Sequence, residues 1–94
     1  MRFGGDEFEG PFASPSALRN LAGIYLVRCS GGAVLTLGEA SEVRAALEQH
    51  DEARCWEANR DGALEFWIYY TPYMSSLARH EIERELRAVL QPKC

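Results

Sequence analysis

Apolar and polar positions alternate most regularly in the middle of the chain. From Gly23 to Cys29 the run Ile24-Tyr25-Leu26-Val27 is β-prone, and Ser30-Gly31-Gly32 supplies turn chemistry before Ala33-Val34-Leu35-Thr36-Leu37. This pattern predicts a hairpin with Ile24, Leu26 and Arg28 on one side and Tyr25, Val27 and Cys29 on the other. Gly38 closes the second strand. Ser41 can cap a helix that carries Val43, Ala46, Leu47 and His50 at i, i+3, i+4 and i+7.

The polar stretch Asp51 to Gly62 reads as a connection with one helical turn anchored by Trp56. Leu64-Glu65-Phe66-Trp67-Ile68-Tyr69-Tyr70 is aromatic and β-branched on both faces, as in a strand covered on both sides, and it completes a three-stranded sheet. Thr71-Pro72 stops that strand and can open a helix, with Ser75 or Ser76 as the alternative cap. Ala78, Ile82, Leu86, Val89 and Leu90 form the apolar stripe of this last helix, which ends before Pro92. Residues 1–20, with Gly4, Gly5, Gly10, Pro11 and Pro15 between Phe3, Phe8 and Phe12, read as an irregular arm packed through its three rings. The expected class is therefore α/β (α+β): a small three-stranded antiparallel sheet flanked by helices over residues 20–94, with an arm before it.

Composition narrows this picture. With 94 residues there is room for one modest core, and folding at this size hides roughly 60 to 65% of the unfolded chain's surface. No apolar run approaches a membrane span, and the first residues lack a signal peptide's apolar centre, so the expected compartment is the cytoplasm. Cys29, Cys55 and Cys94 are an odd set without CxxC spacing and read as reduced thiols. The net charge of −4, with Lys93 the single lysine, does not favour a nucleic-acid partner, because affinity for phosphates comes from cations that replace counterions.

Gly23-Ile24-Tyr25, the ten residues between Tyr25 and Thr36, Thr36-Leu37-Gly38 and the helix through His50 together resemble the GIY-YIG nuclease superfamily, with Glu83, Leu86 and Pro92 at that family's later spacing. The resemblance covers about residues 20–94 and implies a GIY-YIG-like domain. It implies that Tyr25 acts near the attacking water and that Glu83 is the ligand of one divalent metal, Mg²⁺ or Mn²⁺, at a scissile phosphate. A hard cation on one carboxylate could activate water and neutralise developing charge.

Two positions depart from the family. Thr36 stands at the second tyrosine's place, as a substrate-binding candidate, and Ala46 stands at the helix arginine's. Losing such a cation commonly costs about 10²-fold or more in rate. Arg44 is a substrate-binding candidate but starts from the opposite helix face. Arg79 is the nearer cation to Glu83, and His50 is a pocket-edge candidate for the catalytic set.

Plainer readings stand beside these. Tyr25 serves equally as a half-buried strand tyrosine, and Glu83 as a surface ion-pair partner of Arg79 and Arg87 at i−4 and i+4. Arg84 and Arg87 read as a solvated face, His80 as surface, and Trp67, Tyr69, Tyr70 and Tyr73 as packing residues. Two functions follow: a metal-dependent endonuclease with an incomplete catalytic set, or a non-catalytic module of the same fold that binds nucleic acid or a protein partner, affinity coming from that partner or a fused domain.

Overall fold

The computed structural model describes residues 1–94 and departs from expectation first at the N-terminus. Arg2–Phe3 (β1) and Asp6–Glu7 (β2) pair as a short hairpin around Gly4-Gly5, where Gly4 takes the left-handed φ of 63° that the turn requires. Glu9–Phe12 (β3) follows, and then a single 3-10 turn at Pro15–Ala17. The expected irregular arm thus contains three strands. Its rings do pack as expected: Phe3 and Phe8 are buried, and Phe12 is half-buried against the core.

Gly23–Cys29 (β4) and Val34–Ala40 (β5) form the central hairpin, followed by Val43–Glu48 (α1), Ala53–Asn59 (α2), Leu64–Tyr70 (β6) and Ser76–Leu90 (α3). The class is α+β. The sheet has four strands in the order β3-β6-β4-β5, all antiparallel, instead of three, because β3 pairs with the outer side of β6. β4 therefore lies between two neighbours. Its faces divide as the alternation predicts: Tyr25, Val27 and Cys29 meet α1 and α2, and Ile24 and Leu26 meet α3 and the β1–β2 hairpin. On β5 the register passes from Val27↔Thr36 to Arg28↔Val34 and skips Leu35. That bulge explains how Leu35 and Leu37, two residues apart, reach cores on opposite faces.

The helices differ from expectation in their ends. α1 starts at Val43 with Glu42 before it and no side-chain cap from Ser41, and it stops at Glu48, so His50 lies beyond its end. Val43 and Leu47 are buried as the stripe requires. In α3, Ser75 is the cap, its Oγ accepting the N–H of Ala78. Leu86 is buried, and Ile82 and Leu90 pack on it, but Val89 is 70% exposed because it falls off the narrow stripe facing the sheet. No helix is long and apolar enough to cross a membrane.

The cysteine expectation is overturned. Cys55 and Cys94 form a disulfide, and only Cys29 is free, buried in the core. Their separation of 39 residues carries no motif; the fold makes them neighbours by laying residues 93–94 beside β5, where the N–H of Lys93 donates to Val34 O (3.1 Å) and that of Cys94 to Leu35 O (2.7 Å). Closing a loop of this length restricts the unfolded chain by about 4 kcal/mol in the entropic account.

Gly23 shows why the sheet constrains its own sequence. A Cβ there would stand 2.6 Å from Tyr69 O and 3.2 Å from Tyr70 Cα, both main-chain atoms. Gly23→Ala is expected to lower unfolding free energy by about 1–3 kcal/mol in urea denaturation. An unchanged midpoint would mean that the β4–β6 ends separate freely.

Candidate functional site

The site grows from one cross-strand pair. Tyr25 on β4 lies opposite Gly38 on β5, and antiparallel partners share a face. A Cβ at position 38 would fall 2.4 Å from both Cζ and Oη of Tyr25, so the ring occupies the space a side chain would fill. This lets a buried ring, 9% exposed, direct its hydroxyl across β5.

Aromatic and polar groups from the α1–α2 connection close over it. His50 meets the Tyr25 ring edge to face at 5.9 Å, and Trp56 lies 5.4 Å beyond His50. The N–H of Glu52 donates to His50 Nδ1 (3.3 Å), which puts the neutral imidazole's proton on Nε2, 3.6 Å from Glu52 Oε1. Thr36 is buried; its Oγ1 accepts the indole N–H of Trp56 at 2.7 Å and donates to Glu52 Oε2 at 3.3 Å. The hydroxyl thereby gives its one proton to Glu52 and accepts from Trp56, holding α2 against β5.

From the other side come the charges of α3. Glu83 is 7% exposed, and its Oε1 accepts from Nε (2.8 Å) and Nη2 of Arg87, whose Nη2 also donates to Leu37 O at 2.6 Å. Arg79, equally buried, donates from Nε to Glu39 Oε2 at 2.5 Å. The expected ladder of Glu83 between Arg79 and Arg87 is therefore half formed. Arg87 is exposed, as a solvated face requires, yet it also pairs with Glu83, while Arg79 turns to Glu39, which leaves β5 on the α3 side.

These charges converge on Tyr25. Burial raises its pKa above the ordinary phenol value, with Glu52, Glu39 and Glu83 adding to the rise and Arg87 opposing it. At neutral pH the group is a phenol and can donate or relay a proton, but it cannot stand as a phenolate base.

Tyr25 and His50 meet on the α1–α2 face, where Thr36 is held by Trp56 and Glu52; Glu83 comes from α3, near enough for its charge to act on Tyr25, and Arg79 pairs with Glu39. Arg44 does not join them; it pairs with Glu48 on the outer face of α1, 3.7 Å away. Ala46 packs against the core, and His80 is exposed. Of the four aromatics read as packing residues, Trp67 is buried and Tyr73 is wholly exposed. Sequence reasoning missed Glu39 and Glu52. Glu39 follows Gly38 directly and Glu52 lies two residues past His50, and that nearness was the available signal. Comparison with known proteins finds no family model that matches the chain and no matching curated protein.

In an ultraviolet absorbance titration, one of the four tyrosines is expected to ionise later than the others, and Tyr25→Phe to remove that late component. Because the folded pKa is raised, Tyr25's contribution to stability is complete below the unfolded value near pH 10 and is lost as pH rises through the folded one. Tyr25→Phe should flatten that alkaline fall.

Proposed function

We propose that the chain is a non-catalytic binding module of GIY-YIG-like architecture that docks a protein partner. The observation carrying this reading is that the groups placed to do chemistry are already paired, Glu83 with Arg87 and Arg79 with Glu39. A divalent cation on Glu83 would sit against the Arg87 guanidinium, which takes two bonds on the same oxygen. No group of three or more His, Cys, Asp or Glu side chains is arranged to hold a metal. No catalytic step is assigned through Mg²⁺ or Mn²⁺ in this reading.

The net charge of −4 counts against nucleic acid as the partner. A protein partner is favoured by the corner between β6 and α3. There Tyr69 to Met74 line an open cleft of about 320 Å³, beside the fully exposed Tyr73 ring and the 72% exposed Leu77. Exposed tyrosines are frequent anchors in interfaces, since they offer a large apolar area with few torsions to fix. In this reading the chain works in the cytoplasm only if the Cys55–Cys94 bond is transient, as disulfides there usually are.

The convergence of Tyr25, His50 and Glu83 favours a second reading, a weak endonuclease, which requires Arg87 to leave Glu83. Supercoiled plasmid incubated with Mg²⁺ or Mn²⁺ at low salt is expected to show no more nicking with the native chain than with Glu83→Gln. Nicking that the substitution abolishes would transfer the assignment to the nuclease. In affinity capture, Tyr73→Asp is expected to reduce partner recovery about tenfold or more, whereas Glu83→Gln leaves it unchanged. Recovery indifferent to Tyr73 would rule out the corner as the docking surface.

A further inference from the structure

α2 is a helix of seven residues with one buried side chain, Trp56. A helix this short does not hold itself in water, so its place depends on what anchors it. Two anchors are present: the bond from Trp56 Nε1 to Thr36 Oγ1 and, one residue earlier, the disulfide from Cys55 to Cys94. The partner segment is equally dependent. After Gln91 ends α3 in the left-handed region, residues 92–94 have no regular structure, and 93–94 are seated on β5 by two main-chain hydrogen bonds and that disulfide.

We propose that Cys55–Cys94 is a thiol–disulfide exchange site whose state sets how firmly α2 and residues 93–94 are clasped to β5. Both cysteines are half-buried and open to attack, whereas Cys29 is fully buried and cannot compete. Asn59 Nδ2 lies 3.5 Å from Cys55 Sγ, an N–H placed to stabilise charge on that sulfur. Exchange follows from this asymmetry. One thiolate of a dithiol reductant attacks Cys94 Sγ, the S–S bond breaks, and Cys55 leaves as a thiolate facing Asn59. The reductant's second thiol then attacks the mixed disulfide. Cys94 is released, and the reductant leaves as its own disulfide. Two electrons and two protons pass to the protein, which ends with two thiols.

The consequence reaches the candidate surface. With the clasp open, α2 is held to β5 only at Thr36 Oγ1, by Trp56 and Glu52, and Trp56 leads by ring contact to His50 and on to Tyr25. The exchange needs no partner beyond the reductant, so it stands apart from what the module binds.

The test compares the air-oxidised chain, the same chain with dithiothreitol, and Cys94→Ser, by hydrogen exchange and two-dimensional NMR. On reduction, exchange protection of the Lys93 and Cys94 amides is expected to fall about tenfold or more and the Trp56 indole N–H resonance to move. Trp67 and the amides of β4 and β6 should keep their values, reoxidation should restore the first state, and Cys94→Ser should reproduce the reduced state without reductant. An unmoved Trp56 indole with intact protection at 93–94 would overturn the proposal. So would loss of protection throughout β4 and β6, which would make the bond a structural staple. Three alkylatable thiols in the oxidised chain would overturn it as well.

Discussion

The contact of the Tyr25 ring with the bare backbone of Gly38 joins the sheet to the surface built on it. With any larger residue at position 38 the ring would have to leave the face of β5. His50 would then lose the edge it packs on, and the hydroxyl would leave the field of Glu39, Glu52 and Glu83. Gly23, at the start of the same strand, lies as close to the main chain of β6. Both glycines are therefore explained by the packing of β4 between its neighbours, before any chemistry is considered.

The two carboxylate–guanidinium pairs have a similar double meaning. Arg79 and Glu83 are buried, and an unpaired charge at that depth is costly, several kcal/mol in typical cases. Their partners lie in different places, Glu39 on β5 and Arg87 one turn along α3, and Arg87 also reaches the carbonyl of Leu37. Together they fix the rotation of α3 over β5, which the apolar contacts of Leu86 alone would leave loose. Residues that the family resemblance reads as catalytic thus have an architectural role here.

The central hairpin, the strand at Leu64–Tyr70 and the stripe of α1 were legible because alternation and helical period were strong there. β3 was not, since Glu9-Gly10-Pro11-Phe12 has poor strand propensity and becomes extended only by pairing with β6. The disulfide was invisible for a related reason: proximity of residues 55 and 94 belongs to the folded chain. At the site, Tyr25, Thr36, His50 and Glu83 were named from the family resemblance, and the contacts of Tyr25 with His50 and of Glu83 with Arg87 belong to the folded chain. The division of Arg79 from Glu83 was not legible, because sequence separation ranks an i, i+4 neighbour above Glu39, forty residues away but facing Arg79 across the layer. Arg44 pairs with Glu48 one turn along α1, on the side its helical phase implied.

β3 carries a consequence beyond its own strand. It is one margin of the sheet, with a proline at position 11 and charged Glu9 beside it, while the other margin, β5, has its carbonyls at positions 34, 35 and 37 occupied by Lys93, Cys94 and Arg87. Open margins invite copies of a chain to add strand to strand into polymers. At one margin a residue without an N–H interrupts such a ladder, and at the other its acceptors are already taken. A four-stranded sheet of this size is thereby protected from growing into a fibre.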